Sequence, residues 1–182
     1  MTKYVDKKSC YIGKNVSIGE NVVIYENNHI GNNVIIEDDC TILPNNFIEN
    51  SKIGKNCIVH NSVIQEAIIH NQVIIGPFAH IRPKSEISDH SKIGNFVEIK
   101  NSFIGRNCKI NHLAYVGDST LGNDCNIGCG VIFVNYNGKE KSKTTVGNHV
   151  FIGSNCNIIA PVEIKDDSFI CAGTTVTENV EF

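Results

Sequence analysis

The chain has little of what marks several common classes of protein. Among 182 residues there is no tryptophan, one methionine and four prolines, and no apolar run is long enough to cross a membrane. The formal net charge of −3 at pH 7 gives no electrostatic reason to expect a nucleic-acid partner. The N-terminus is short and polar and lacks a signal-peptide pattern. The length and these absences favour one domain, residues 1–182, with no membrane or nucleic-acid partner.

An aliphatic residue at every sixth position is what the chain has instead. Clean runs extend from Ile12 to Ile48, from Ile69 to Ile99 and from Val146 to Val176. A period of six fits neither an α-helix nor a hairpin strand, and hexapeptide repeats are typical of a parallel β-helix. Three hexapeptides make one triangular coil of about eighteen residues, so the sequence predicts an all-β fold of about nine coils.

A second inward position lies four residues after each aliphatic and is mostly small or β-branched. Phe103 is a large exception, and Asn28 and Asn46 are polar ones. Glycine often follows the aliphatic, and we expect these glycines, with asparagines, to take positive φ at the corners. The glycines are Gly13, Gly19, Gly31, Gly54, Gly76, Gly94, Gly105, Gly122, Gly128, Gly147 and Gly153.

Irregular steps in the repeat indicate where the coil departs from its regular form. Steps of five residues begin at Ile48, Val59, Ile64, Ile99 and Val116, and each predicts a corner shortened by one residue. The step from Phe133 to Val146 is thirteen, which predicts one extruded loop near 134–145, centred on Asn135 to Lys143. Insertions in solenoids form loops on one face, often the functional one.

The eight cysteines suggest disulfide bonds and the regularly spaced histidines suggest a metal site, but the repeat argues against both. Six of the eight cysteines fall in the small inward position, where a thiol packs as a small hydrophobe: Cys10, Cys40, Cys57, Cys108, Cys125 and Cys156. Cys129 and Cys171 are predicted to point outward. Free thiols indicate a reduced, cytoplasmic protein. His60, His70, His80 and His90 recur every ten residues but differ in repeat phase, so they predict no metal site.

One group of polar residues lies in register on adjacent coils. Arg82 and Lys100 each follow an inward aliphatic, one coil apart, so the two cations stack at roughly 4.8 Å. An anionic ligand would explain the pair, as would two solvated cations that splay apart. Glu98 and Tyr115 share one face on adjacent coils, and His112 lies on a neighbouring side as a candidate general base.

The loop carries Lys139, Lys141 and Lys143. It is either a solvated turn or a flap that brings cations to a neighbouring subunit. The sequence alone leaves both interpretations open.

The chain resembles a known family at these residues. Motifs running from Ile75 to Val180 are similar to the acetyltransferase domain of the bacterial bifunctional N-acetylglucosamine-1-phosphate uridyltransferase / glucosamine-1-phosphate N-acetyltransferase, an enzyme of UDP-N-acetylglucosamine biosynthesis for the cell wall. The matching stretches are IGPFAHIRP, KIGNFVEIK, INHLAYVGDSTLGNDCNIGCG, VNYNG, VFIGSN, IIAPV and AGTTVT. The resemblance divides the chain into N-terminal coils, 1–74, and catalytic-type coils, 75–180. It implies a left-handed β-helix and a homotrimer with active sites between subunits.

The resemblance also implies roles for individual residues. His112 would be the general base on the amine of glucosamine 1-phosphate, with Glu98 orienting it. The remaining residues would bind the two substrates: Arg82 and Lys100 the sugar phosphate; Tyr115 and Asn126 the sugar; Cys129, through its backbone N–H, the thioester oxygen; and Asn135, Tyr136, Ser154 and Ala172 the acetyl-CoA side. Acetyl-CoA is the implied co-substrate, and no metal is needed for acetyl transfer.

The sequence also departs from the family pattern. No Gly-rich nucleotide-binding turn precedes the repeats, so no uridyltransferase activity is expected. Asn137 replaces the usual aspartate of an Asn-Tyr-Asp-Gly turn, and the family's C-terminal arm, which carries a basic residue for CoA, has no counterpart before Phe182. Two alternatives therefore stay open. One is a non-catalytic β-helix subunit that assembles with a separate nucleotidyltransferase, and the other is an acetyltransferase of the same fold with a different acceptor.

Overall fold

The computed structural model describes residues 2–181 and contains twenty-nine short strands and one 3₁₀ turn, Lys7–Ser9. The first fifteen strands are β1 Lys3–Tyr4, β2 Tyr11–Ile12, β3 Ser17–Ile18, β4 Val23–Ile24, β5 His29–Ile30, β6 Ile35–Ile36, β7 Thr41–Ile42, β8 Phe47–Glu49, β9 Lys52–Ile53, β10 Ile58–Val59, β11 Val63–Gln65, β12 Ala67–Ile69, β13 Ile74–Ile75, β14 His80–Ile81 and β15 Ser85–Ile87. The others are β16 Lys92–Asn95, β17 Glu98–Lys100, β18 Phe103–Ile104, β19 Lys109–His112, β20 Tyr115–Gly117, β21 Ser119–Leu121, β22 Asn126–Ile127, β23 Ile132–Val134, β24 Thr144–Val146, β25 Phe151–Ile152, β26 Asn157–Ile159, β27 Val162–Ile164, β28 Phe169–Ile170 and β29 Thr175–Val176.

Every third strand belongs to the same parallel sheet. Sheet A runs from β1 to β28 with ten strands, sheet B from β2 to β29 with ten, and sheet C from β3 to β27 with nine. Twenty-nine strands make nine full coils and two sides of a tenth, which confirms the predicted parallel β-helix of about nine coils. The turns between sheets form three ladders of corners, named here the A/B, B/C and C/A corners in chain order.

The aliphatic at each sixth position lies inside the prism. Ile64, Ile81 and Ile99 are direct register partners on successive coils of sheet B, and all three are fully buried. One continuous core of such residues extends along the helix. Fully burying an isoleucine contributes roughly 1.5–3 kcal/mol relative to leaving it exposed, so the repeat itself supplies the driving force for coiling.

The shortened corners follow a rule that the four-residue spacing does not predict. Phe103 points outward and is not an inward exception, because Ser102, one residue earlier, is buried in its place. Ser51, Ser62 and Ser119 occupy the same position in other five-residue steps. Each of these four serine hydroxyls donates to the carbonyl two residues back, at 2.6–2.8 Å. A small side chain that satisfies its own hydroxyl lets the chain turn one residue early.

The two inward asparagines form a satisfied polar ladder. Asn46 donates its amide to Asn28 Oδ1 at 2.9 Å, and Asn46 Oδ1 accepts from the Ser62 backbone at 2.9 Å. All three residues are buried. Because each amide has partners on neighbouring coils, the usual penalty for burying a polar group is offset.

Glycine and asparagine take different roles at the corners. Of the glycines that follow an aliphatic, only Gly76 has a positive φ, so the expectation of left-handed glycines is wrong for the rest. Their common property is close approach between coils: a Cβ on Gly94 would lie 1.9 Å from the carbonyl oxygen of Asn111. Asparagine, which tolerates that conformation, is the commonest residue at the left-handed corners, as at Asn27, Asn45 and Asn61.

The thiols lie where the repeat predicts. Five of the six cysteines assigned to the inward position are buried, Cys10 is partly buried, and Cys129 and Cys171 are exposed. All eight are free. A hydrogen bond with Cys40 and burial raise the pKa of the Cys57 thiol, which keeps it protonated and effectively apolar at neutral pH.

The predicted extruded loop is present between β23 and β24, from Asn135 to Lys143. It doubles back through an antiparallel bridge between Tyr136 and Lys141. Asn137 Oδ1 accepts from the backbone N–H of Lys139 and of Glu140, both at 2.9 Å. The Asn137 carboxamide oxygen thus holds this turn of the loop. Within residues 2–181, no helix has the length and apolarity to cross a membrane.

Candidate active site

The two predicted phosphate-binding cations lie on the outer face of sheet B. Arg82 directly follows β14 and Lys100 ends β17, and register between Ile81 and Ile99 places them on adjacent coils. Arg82 Nη1 donates to Glu98 Oε1 at 2.7 Å, and Lys100 Nζ lies 4.0 Å from Asp118 Oδ2. Each cation therefore faces a carboxylate, which offsets part of the repulsion between the two positive charges.

Asp118 is a component of this group that the sequence did not reveal. It lies in the B/C corner after β20 with a positive φ of 50° and is 7% exposed. Burial raises its pKa, but hydrogen bonds from Asn101 and Asn135 and the charges of Lys100 and Lys141 outweigh burial, so the pKa lies below the ordinary value. A search for acidic residues one coil after each cation would have found it.

Asn135 and Tyr115 complete the sheet-B group. The buried Asn135 donates its amide to Asp118 Oδ2 and lies 3.3 Å from the Tyr115 hydroxyl. Tyr115 begins β20 and is the register partner of Glu98. The sheet-B group, defined as Arg82, Glu98, Lys100, Tyr115, Asp118 and Asn135, is therefore one contiguous polar surface at the base of the loop.

His112 lies at the A/B corner, at the end of β19, and is exposed. Its Nδ1 is 2.9 Å from Asn95 Oδ1, and the two residues are register partners on adjacent coils. A carboxamide oxygen only accepts, so Nδ1 carries the proton and Nε2 presents its lone pair to solvent. Asn95 was missed in the sequence, although its separation of seventeen residues from His112 is one coil.

Glu98 and His112 have different partners in the described chain. Glu98 is paired with Arg82, and Asn95 holds His112. The role that the family resemblance gives Glu98, orienting the histidine, is not represented by a contact between them in residues 2–181. The resemblance and the geometry therefore name two candidate orienting residues.

The residues assigned to acetyl-CoA fall mostly on the C-terminal coils of the A/B corner. Cys129, Ser154 and Ala172 follow β22, β25 and β28 in equivalent turns, and all three are exposed. The Asn155 backbone donates to the Cys129 carbonyl at 2.8 Å, and the Gly173 backbone donates to the Ser154 carbonyl at 2.8 Å. Asn126 begins β22 on sheet A. The corner residues Cys129, Ser154 and Ala172 form a line with His112 along the A/B corner.

Tyr136 is separate from that line. It lies in the loop at the B/C corner, and its hydroxyl donates to the Gly138 carbonyl at 2.7 Å. The predicted site residues thus form two sets, one along the A/B corner and one that crosses sheet B, from Glu98 and Tyr115 at the start of their strands to Lys100 and the loop at the B/C corner. No hydrogen bond or ion pair among the described residues joins His112 to the sheet-B group.

The four regularly spaced histidines do not share one place on the prism. His60 lies at the A/B corner, His80 in β14 on sheet B, and His70 and His90 at the C/A corner, where His70 Nε2 is 2.7 Å from Glu86. In residues 2–181 no three histidine, cysteine, aspartate or glutamate side chains are grouped to hold a metal ion.

Comparison with known proteins finds two matching family models. Residues 63–135 match the GMPPB C-terminal domain, and residues 143–178 match the bacterial transferase hexapeptide, six repeats. The chain is 46% identical over 176 residues to the bifunctional protein GlmU of Clostridium acetobutylicum, covering 97% of this chain and 39% of that protein. The chain is therefore similar to bacterial hexapeptide-repeat transferases and to part of the bifunctional family that its motifs resemble. It spans about two fifths of the length of the relatives it matches.

Solved structures agree with this acyltransferase fold. A UDP-N-acetylglucosamine acyltransferase from Bacteroides fragilis matches with a TM-score of 0.60 and 20% identity, over 98% of this chain and 66% of that one. The corresponding Arabidopsis enzyme matches with a TM-score of 0.56 and 21% identity, over 98% and 67%. At such identities the likeness concerns the fold alone, and it confirms the left-handed parallel β-helix.

Proposed function

We propose that this acyltransferase transfers the acetyl group of acetyl-CoA to the amine of an amino-sugar phosphate, glucosamine 1-phosphate. The observation that carries the proposal is the sheet-B group, which presents Arg82 and Lys100 on adjacent coils beside the cationic loop. Charge-assisted hydrogen bonds from two such cations suit a phosphate monoester. The identity of 46% over nearly the whole chain to a bifunctional GlmU protein supports the same substrate class.

His112 is the proposed general base. A protonated amine has no lone pair with which to attack a thioester, so a base must remove a proton first. The Asn95 hydrogen bond leaves Nε2 as the free acceptor and fixes the ring plane. A base placed within hydrogen-bond reach of the amine contributes about 10²–10⁴ in rate.

Acetyl transfer then needs no covalent enzyme intermediate. The deprotonated amine adds to the acetyl carbonyl, and CoA leaves as the thiolate and takes up a proton. The backbone N–H of Cys129 is the proposed donor to the developing oxyanion, an effect of about 10²–10³ in rate. Asn126 and Tyr115 are assigned to the sugar, and Asn135, Tyr136, Ser154 and Ala172 to the acetyl-CoA side.

The proposed assembly is a homotrimer with sites between subunits. At the A/B corner most left-handed positions hold asparagine or glycine, but three consecutive coils hold Phe78, Phe96 and Leu113. These side chains are 53%, 56% and 57% exposed, although a bulky residue in this conformation costs roughly 1–2 kcal/mol. Burial against a neighbouring subunit would offset that cost, and it would bring a second subunit next to His112.

A cytoplasmic location is part of the proposal. Its support is the eight free thiols, five of them buried in the core.

Two other functions remain as outcomes of the test. A non-catalytic partner of a nucleotidyltransferase would form no product, and an acetyltransferase for another acceptor would release CoA only with a different amine or hydroxyl compound. The two cations of the sheet-B group and, at the A/B corner, a histidine whose Nδ1 is held by Asn95 favour the catalytic proposal.

The deciding experiment is mass-spectrometric detection of N-acetylglucosamine 1-phosphate formed from glucosamine 1-phosphate and acetyl-CoA. We expect product from the wild type and a loss of at least about 10² in rate for His112→Ala. His60 also lies at the A/B corner, after β10, so His60→Ala is the control and should retain activity. No product from folded wild-type protein at millimolar acetyl-CoA would refute the proposed reaction.

A further inference from the structure

Asp118 contacts both ends of the extruded loop. At the start of the loop, the Asn135 side chain donates to Asp118 Oδ2, and just after the loop the Thr144 backbone N–H donates to the Asp118 carbonyl at 3.3 Å. The Asp118 backbone N–H in turn donates to the Lys100 carbonyl at 2.9 Å. One residue therefore links the loop to the strand that carries the proposed phosphate-binding lysine.

The same carboxylate lies between two cations. Lys100 Nζ is 4.0 Å from Asp118 Oδ2, and the Lys100 side chain is 21% exposed. Lys141 lies in the loop that Asp118 contacts, bridged to Tyr136, and its interaction with Lys100 lowers the pKa of its ammonium group. Two adjacent ammonium groups repel each other, and an ionised carboxylate beside them offsets that repulsion.

Asp118 also belongs to a ladder of hydrogen bonds between corner residues on successive coils. The Asn101 amide donates to the second carboxylate oxygen of Asp118, Oδ1. Asparagines at other corners likewise donate to the corner residue of the next coil. Asp39 has an equivalent bond from Asn21 at 3.2 Å and a similar φ of 60°, with no loop beside it. The ladder bond is thus common to both aspartates, and the contacts to the loop and to Lys100 are particular to Asp118.

We propose that Asp118 is a positioning residue that clamps the loop Asn135–Lys143 onto sheet B and holds Lys100 and Lys141 together as one cationic receptor for the acceptor's phosphate. A carboxylate would repel the phosphate, so Asp118 acts through the two lysines and not on the substrate. This inference deepens the proposed function and rests on it for the identity of the anion. The clamp itself does not depend on the reaction.

Limited trypsin digestion tests the clamp without using activity, because the loop offers cleavage after Lys139, Lys141 and Lys143. Asp118→Asn and Asp118→Gly both fit a left-handed corner, so the fold should be retained, as circular dichroism would check. We expect loop cleavage at least about tenfold faster in both variants, the equivalent of 1.4 kcal/mol in loop opening. Asp39→Gly is the matched control and should digest like the wild type. Unchanged loop cleavage in the folded Asp118 variants would overturn the proposal.

Inorganic phosphate is the probe for the receptor. Added phosphate should slow loop cleavage in the wild type and in Asp39→Gly but not in Asp118→Asn. Equal protection of Asp118→Asn would overturn the positioning role. If phosphate protects the wild type while glucosamine 1-phosphate is not acetylated, the proposed reaction fails and the receptor stands. If loop cleavage responds to Asp118 but phosphate protects no form, the receptor half of the inference is wrong.

Discussion

At the residue scale, the partners of each ionisable side chain decide its chemical role. Arg82 is paired with Glu98 at 2.7 Å, whereas Lys100 is 4.0 Å from Asp118. Lys100 is therefore less fully neutralised than Arg82. We infer that Lys100 contributes more to binding an added anion.

This difference leads to a prediction for Lys100→Ala. A hydrogen bond to a charged group is worth roughly 1.5–3 kcal/mol, so the KM for glucosamine 1-phosphate should rise about tenfold or more. The KM for acetyl-CoA should change by less than about twofold, because the lysine does not contact that substrate in the proposed site. Steady-state kinetics with each substrate varied in turn would measure both values.

Lys14→Ala is the control for that experiment, since Lys14 is an exposed lysine just after β2, on the N-terminal coils. It should leave both KM values unchanged. Equal increases in the two KM values for Lys100→Ala would contradict a specific phosphate role.

At the scale of the element, the close approach of one coil to the next limits which residues fit after the inward aliphatic of each hexapeptide. Glycines after the inward aliphatic are needed where the neighbouring backbone leaves no room for a Cβ. Gly94 meets the Asn111 carbonyl oxygen at 1.9 Å, whereas Gly31 meets only the flexible side chain of Glu49, at 3.1 Å or more. Neither glycine has a positive φ, so the two positions differ in the room for an added Cβ and not in backbone conformation.

Gly94→Ala and Gly31→Ala therefore form a matched pair. Forcing a methyl group between two backbones is overpacking, and Gly94→Ala should lower the free energy of unfolding by about 1–3 kcal/mol. Gly31→Ala should change it little, because the Glu49 side chain can move aside. Thermal or denaturant unfolding followed by circular dichroism at one protein concentration would compare the two. Similar destabilisation by both would contradict close approach between backbones as the reason for these glycines.

At the scale of the whole molecule, His112 lies at the A/B corner, whereas Arg82, Lys100 and the loop lie toward the B/C corner. A single prism cannot fold one corner onto the other, because its core is continuous and rigidly packed. We therefore expect a second subunit to complete the proposed site. The exposed Phe78, Phe96 and Leu113 beside His112 mark the edge where we expect that contact.

Phe96→Asn tests this assembly. Asparagine suits the left-handed corner better than phenylalanine, so the variant should stay folded while losing apolar contact area. Light scattering should give three times the chain mass for the wild type and a lower mass for Phe96→Asn at micromolar concentration. Phe103→Thr, an exposed phenylalanine on sheet C, is the control and should keep the wild-type mass. A monomeric wild type would rule out sites between subunits.

The sequence by itself determined the coil, because a six-residue aliphatic period can be buried only by stacking parallel coils. It also placed the loop, the free thiols and the register of Arg82 over Lys100, since each follows from counting residues. Only the tertiary structure decided the partners: Asn95 on His112, Asp118 under Lys100, and serine in the shortened corners. The repeat fixes which residues are level with one another, but side-chain torsions and corner conformation, which have no period, decide which of them touch.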